Sequence, residues 1–185
     1  MKKIKTDYNW LIKVTISSFF ISITLGLLTN TVVNDLSIAI SIFVLVLVIL
    51  LGIVFDIIGL AVATAEEVPF HAKSAKKVPG SKESIDLIRN AEKVSSFCND
   101  VIGDISGVLS GGLATSIAIN IFNKLPFLNS LMISMLMTAV VSALIVGGKA
   151  YGKNFAISKN HIIVENCGKI IYKFKKIFML KKRDV

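Results

Sequence analysis

Apolar residues along this chain fall into four long runs separated by short polar stretches. The runs cover approximately residues 10–31, 36–64, 99–122 and 127–150. Each is long enough to cross a bilayer, because a hydrocarbon core of about 30 Å requires roughly 20 helical residues. The pattern predicts an all-α, polytopic membrane protein with about four transmembrane helices.

The polar links between the runs predict how the helices pair. The links at 30–35 and 123–126 are short, so we expect runs one and two, and runs three and four, to form antiparallel hairpins. The second run is too long for a helix that stands perpendicular to the membrane. We expect it to tilt or to extend into the cytoplasm.

The stretch that joins the two hairpins, residues 66–97, is basic but keeps apolar residues at helical spacing. Pro69 and the pair Pro79-Gly80 interrupt it, and Ile85, Ile88, Ala91 and Val94 follow at intervals of three. We predict a cytoplasmic helical hairpin here. The whole of residues 1–156 is then one transmembrane domain, and residues 157–185 form a cytoplasmic tail.

The tail has the pattern of a basic amphipathic helix. Its predicted apolar face contains Ile170, Ile171, Phe174, Ile177 and Phe178, and its lysines, mostly on the other face, are Lys169, Lys173, Lys176 and Lys182. Such a helix lies among lipid headgroups and is attracted by anionic lipid. A simpler interpretation is that these lysines only retain the tail in the cytoplasm.

The distribution of basic residues predicts the orientation in the membrane. Four precede or begin the first run, six lie between Lys73 and Lys93, ten lie from Lys149 to Arg183, and Lys124 stands alone on the opposite side. Positively charged loops are retained in the cytoplasm. We therefore predict a multi-pass protein of the cell membrane with both termini and the central loop inside.

The first run raises one alternative to this topology. It follows a basic start and resembles a signal peptide, but the apolar core of a signal peptide is usually about 7–15 residues long. This run is longer, and no convincing small-x-small cleavage site follows it. We interpret it as a retained helix.

Composition supports the membrane assignment. Hydrophobic residues make up 54% of the 185 residues and the mean hydropathy is +0.73, whereas about 45–50% is usual in soluble domains. The formal charge is +9, but the basic residues surround apolar runs and no nucleic-acid-binding motif is present. We expect anionic lipid at the cytoplasmic face as partner, not nucleic acid. Without GxSxG, HExxH or a phosphate-binding loop, we expect no enzymatic activity.

Small residues recur along the third run. Gly103, Gly107 and Gly111 are four residues apart, and Ser106 and Ser110 lie on a neighbouring stripe. This spacing lets two helix backbones approach closely in lipid. We predict that the third helix packs tightly through the three glycines.

Acidic residues at the cytoplasmic ends of the runs are the candidates for function. Asp56 lies near the end of the second run, and Asn99, Asp100 and Asp104 open the third. Ionisable residues in membrane segments are rare and mark ion pathways, and oxygen ligands suit Mg²⁺. We predict a metal site formed by these four residues. Alternatively, Asp100 and Asp104 only stabilise the positive end of a helix dipole.

Three stretches occur in an order that resembles a known family. FDIIGLAVATA (55–65), SSFCNDVIGDI (95–105) and GGKAYGKNFA (147–156) are similar in order to motifs in the transmembrane domain of the CorB/CorC and cyclin M, or haemolysin-C-like, magnesium transporters. The resemblance covers roughly residues 36–156 and leaves the first helix as an addition; no CBS domain is present. It implies Mg²⁺ transport.

The resemblance also assigns residues. Asn99 and Asp100 stand at the family's paired asparagines, and Asp56 stands near the serine of its first motif. Gly59 and Lys149, however, stand where the family has glutamates. A lysine in place of a carboxylate reverses the local charge, so its ammonium is a candidate counter-charge that pairs with Asp100 or Asp104 in the cation's place.

These observations lead to three functional hypotheses. The first is transport or binding of a divalent cation, Mg²⁺ above others, by a CorB/CorC-like homodimer. The second is a non-transporting membrane interaction or scaffold protein with a degenerate ion site. The third is a proton- or sodium-coupled exporter of another substrate that uses the same acids.

Overall fold

The computed structural model describes residues 8–35, 37–124 and 129–181, and all regular structure within these ranges is helical. The elements are α1 (Tyr8–Asp35), α2 (Ile38–Thr64), α3 (Val68–Ala75), α4 (Ser81–Arg89), α5 (Ala91–Ser96), a π-helical segment (Phe97–Gly103), α6 (Asp104–Lys124), α7 (Ser130–Ser158) and α8 (Asn160–Lys181). The first seven residues, the predicted link at 125–126, Lys182 and the side chain of Phe178 lie outside the described residues. The prediction of an all-α chain is confirmed where the structure describes it.

Three helical stretches are long and apolar enough to cross a membrane: Ile38–Thr64, Ala91–Lys124 and Ser130–Ser158. They indicate a helical membrane protein. The apolar stretch within α1, Ile12–Leu27, is shorter, so the fourth crossing stays a prediction. The helical stretch that contains the third predicted run begins at Ala91 instead of residue 99, and α7 continues to Ser158 instead of residue 150.

The chain forms two compact units. The first, which we call the apolar unit, combines the chain up to Gly52 with Val101–Gly147; the second, the cap unit, combines Ile53–Asp100 with the chain from Gly148 onward. This division differs from the predicted boundary between residues 156 and 157. The tail helix belongs to the cap unit, because its Val164 is buried in a core that the loop and the ends of α2 and α7 share.

In the apolar unit, α6 packs against α1 and contacts α2. Its buried positions are Ile105, Ser106, Ser110, Leu113, Ala114, Ile117 and Ala118. The hydroxyls of Ser106 and Ser110 donate hydrogen bonds to the carbonyl oxygens of Ile102 and Ser106, at 2.7 Å in both cases. Each hydroxyl is thereby satisfied inside its own helix, as an apolar environment requires.

The glycines of the third run behave differently from the prediction. Gly103 is buried, but a methyl group added at Gly107 or Gly111 would meet no described residue within 4 Å. The close contact instead joins Ser106 to Gly52 of α2, where an added methyl would lie 2.8 Å from the Ser106 Cβ. The buried side of α6 is therefore the serine and alanine stripe next to the predicted glycine stripe.

The cap unit has its own hydrophobic core, to which the loop, the tail and the last turns of α2 and α7 all contribute. The buried members are Ala61, Val62, Phe70, Ile85, Ala156 and Val164. The helix predicted through Ile85 and Val94 is interrupted at Asn90, where α4 ends and α5 begins. Three segments that are distant in sequence thus depend on one another to bury their apolar side chains.

Helices α4 and α8 cross at two glycines. Gly80 has φ of 86°, a conformation that L side chains rarely adopt. A methyl group at Gly168 would overlap the Ser84 hydroxyl and lie 2.5 Å from the Gly80 carbonyl oxygen. The buried Ser84 hydroxyl donates to the carbonyl oxygens of Gly80 and Val164, at 3.0 and 3.2 Å. The two backbones therefore meet directly, with one serine as the bridge.

Ion pairs hold the exposed edge of the cap unit. Glu165 of α8 accepts contacts from Lys169 at 2.8 Å and from Lys73 of α3 at 2.5 Å. These two ammonium groups, that of Lys169 first, lower the pKa of the Glu165 carboxyl below its ordinary value. Glu83 pairs with Lys175 at 3.4 Å, so α8 is bound to both α3 and α4.

Gly168→Ala is expected to destabilise the protein by about 2–3 kcal/mol, because the added methyl meets backbone atoms that cannot move away cheaply. Thermal unfolding in detergent measures this loss. Gly147→Ala in α7 is the control, since a methyl there meets nothing within 4 Å, and it should be neutral or stabilise by up to about 1 kcal/mol. Equal effects of the two substitutions would contradict the close crossing.

Glu165→Gln is expected to make the cap unit less stable at neutral pH. The folded-state pKa of Glu165 lies below its ordinary value of 4.5, so its contribution is present above that pH and is lost as the pH falls through the lowered pKa. The stability difference between parent and variant should therefore shrink below about pH 4.5. Unfolding midpoints across pH measure it, with the exposed Glu92→Gln as control.

Candidate functional site

The candidate site is in the cap unit, on one face of α2. Asp56 and Gly59 are three residues apart, so they are neighbours on the helix surface within about one turn. Asp56 is buried, with 8% of its surface exposed. A carboxylate this far from water requires a compensating charge or hydrogen-bond donors.

Lys149 of α7 supplies that charge. Its Nζ lies 3.8 Å from Oδ1 of Asp56, and the side chains are 25% and 12% exposed. The distance is too long for a hydrogen bond but short enough for an ion pair. The pairing of Lys149 with Asp100 or Asp104, which the resemblance suggested, stays a prediction; the ion pair described here is with Asp56.

Two glycines bring α7 close enough for this contact. A methyl group at Gly152 would lie 2.7 Å from Cγ1 of Ile57, and one at Gly148 would overlap the side chain of Ile53. Gly148 and Gly152 are four residues apart, which is the same small-xxx-small pattern that the third run shows. The sequence analysis overlooked this pair, although its spacing alone could have revealed it.

Asn99 contacts the same face of α2 from the π-helical segment. A methyl group at Gly59 would overlap its amide oxygen, so the glycine is needed for Asn99 to lie there. Oδ1 of Asn99 is buried and has no hydrogen-bond partner among the described residues. π-Helical turns are rare and frequently occur at functional sites. Here the turn places a polar side chain against Gly59, about one helical turn from Asp56.

The other two predicted ligands lie at the protein surface. Asp100 and Asp104 are exposed, and within the described ranges no three side chains of His, Cys, Asp or Glu lie close enough to hold a metal ion together. The predicted metal site of Asp56, Asn99, Asp100 and Asp104 stays a prediction. The site consists of the pair Asp56–Lys149 and the contact Gly59–Asn99.

In this arrangement the Asp56 carboxylate is paired with Lys149, whereas the buried Oδ1 of Asn99 has no hydrogen-bond donor among the described residues. An unsatisfied buried oxygen costs about 1–3 kcal/mol, and such groups in native structures often mark the place of an ion or a water molecule. Mg²⁺ is usually held by one or two carboxylates with several waters. Asp56 and Asn99 could serve as such ligands only if the Lys149 ammonium moved away from Asp56.

No family model, curated protein or solved structure matches this chain. The resemblance to CorB/CorC transporters therefore rests on motif order and on the residues named above.

Gly59→Ala is expected to destabilise by about 1–3 kcal/mol, because the methyl displaces the Asn99 amide. Asn99→Ala removes that amide, so the double variant should lose less stability than the sum of the single variants, by about 1–2 kcal/mol. Thermal unfolding in detergent measures all three. Gly147→Ala combined with Asn99→Ala should be additive; an additive Gly59 and Asn99 pair would refute the contact.

Proposed function

We propose that this chain is a membrane interaction protein with a CorB/CorC-like ion site in which the Lys149 ammonium takes the place of the cation. It does not transport an ion. The observation that carries this proposal is the ion pair between Lys149 and the buried Asp56.

The balance of charges at Asp56 supports this proposal. A carboxylate in a membrane segment is costly unless it is paired, and Lys149 is tethered beside Asp56 by the close packing of α7 on α2 at Gly148 and Gly152. A tethered group acts at an effective concentration of about millimolar or more. A free divalent cation must compete with this ammonium and must also shed its own water.

The orientation is part of the proposal. The cap unit is built from the basic loop and the basic tail, which supply most of the chain's lysines. Because such segments are retained in the cytoplasm, we place the cap unit and both termini inside a cell membrane. In that position the cap unit is the surface available to lipid or to a protein partner.

The buried, unpartnered oxygen of Asn99 favours a second candidate function. In this alternative the chain binds and transports Mg²⁺ or another divalent cation through Asp56 and Asn99, and Lys149 moves away when the ion enters. Asp100 and Asp104 would then attract the ion from the cytoplasm as exposed charges. A homodimer is expected, with the open side of α6 at Gly107 and Gly111 as the place where a second copy approaches.

Lys149→Glu separates the two candidates. If the ammonium is a fixed counter-charge, this variant places two acids together and loses about 2–4 kcal/mol of stability, whereas a cation site tolerates a second carboxylate when Mg²⁺ is present. Thermal unfolding with and without millimolar Mg²⁺ is the measurement. Lys153→Glu, an exposed position one turn further along α7, is the control and should behave like the parent.

The parent protein, measured in the same experiment, distinguishes the two candidate functions. We expect its unfolding midpoint to be unchanged by Mg²⁺ and its proteoliposomes to show no Mg²⁺ flux. A midpoint that rises with Mg²⁺, or a flux that Asp56→Asn and Asn99→Ala both abolish, would establish the transporter instead.

A further inference from the structure

Helix α8 carries an apolar stripe that stays exposed in the part of the chain that the structure describes. Ile170, Phe174 and Ile177 follow one another at intervals of four and three residues, so they lie on one side of the helix. They are 54%, 62% and 61% exposed. Three large, exposed apolar side chains on one side of a helix form the kind of patch that marks an interaction with a partner or a membrane.

The stripe is distinct from the side by which α8 packs in the cap unit. Val164 and Gly168 are buried on the packed side, and Ile171 and Lys175 line a groove with Glu83 and other residues of α4. The single apolar face predicted from the sequence is thus divided in two. Ile171 belongs to the packed side, whereas Ile170, Phe174 and Ile177 do not.

A row of lysines runs parallel to the open stripe. Lys169, Lys173 and Lys176 have the same spacing as the apolar row, displaced by one residue, and all three are exposed. Lys169 also pairs with Glu165 at 2.8 Å. Apolar side chains beside a row of ammonium groups match the boundary between acyl chains and anionic headgroups.

We propose that this surface of α8, the row Ile170–Phe174–Ile177 with the flanking lysines, docks on the anionic phospholipid of the bilayer in which the protein is embedded. This inference names what the cap unit meets and rests on the proposed function only in placing the chain in a membrane. Phosphate groups bind Lys173 and Lys176, and the apolar row enters the headgroup region as far as the acyl chains.

Two features of the chain favour lipid over a protein partner. Helix α8 begins at Asn160, two residues after the end of α7, which is itself long enough to span a membrane. The short connection keeps the start of α8 close to the end of a helix that can cross the membrane. The packing of α8 on α4 through Gly80 and Gly168 forms the helix in advance, so docking does not have to compensate for folding it, as free amphipathic peptides must.

The test uses the full chain in nanodiscs whose phosphatidylcholine carries brominated acyl chains, which quench nearby tryptophan. Trp10 is the sole tryptophan, so Phe174→Trp is introduced together with Trp10→Phe. Tyr172→Trp in the same background is the matched control, because Tyr172 faces the groove at the α3–α4 turn, with Ser74 and Lys77. With phosphatidylglycerol present, we expect quenching at position 174 and not at position 172.

The lysines are tested by Lys173→Gln with Lys176→Gln, which leaves the Lys169–Glu165 pair intact. Each lysine near an anionic surface contributes a factor of about five to binding, so the double variant should lower the ratio of docked to undocked helix by about 25-fold. For the protein with both lysines, omitting phosphatidylglycerol should lower the quenching by as much as the double substitution does. If Phe174→Trp lowers the thermal midpoint, Ile177→Trp repeats the measurement.

Three results would overturn the proposal: no quenching at position 174, equal quenching at positions 172 and 174, or quenching that is independent of phosphatidylglycerol and of the two lysines. None of these bears on the ion pair, because the response of the parent to Mg²⁺ is measured separately. Failure of docking and failure of the proposed function are therefore distinguishable.

Discussion

The close approach of α7 to α2 at Gly148 and Gly152 is the constraint on which the candidate site depends. Without side chains at these two positions, α7 packs directly against Ile53 and Ile57, and Lys149, between the two glycines, is carried to Asp56. Backbone contact of this kind is how helices associate where lipid provides no hydrophobic drive between them. The ion pair between Lys149 and Asp56 is thus a consequence of the packing of α7 on α2.

Glycines also allow close contacts between helices in the rest of the cap unit. Gly59 makes room for Asn99, and Gly80 and Gly168 let α4 cross α8 with the Ser84 hydroxyl as bridge. Each contact joins segments that are distant in sequence. Because the loop and the tail share one hydrophobic core with the ends of α2 and α7, the ion pair and the open side of α8 belong to one folded body.

Much of the fold was predictable from hydropathy, and much of the site was not. The long apolar runs predicted helices because length and apolar content alone decide whether a segment can span a bilayer. Asp56 was recognisable as an acid near the end of such a run. Lys149 was recognisable as a positive charge at a position where the similar family has a glutamate. For Asp100 and Asp104 the sequence shows that acids are near a helix end but not which side of the helix they occupy; in the structure both are exposed. The glycines of α6 had the right spacing, yet Ser106 next to them makes the contact with Gly52.

The sequence by itself determined the helical membrane class, the basic character of the loop and tail, and the small set of polar residues from which any ion site must be drawn. These follow from composition and periodicity, which are local properties. Only the tertiary structure decided that Lys149 pairs with Asp56, that the buried Asn99 oxygen has no hydrogen-bond partner among the described residues, and that α8 divides its apolar residues between a packed and an open side. Such pairings depend on which backbones can approach each other in space, and spacing along one helix does not contain that information.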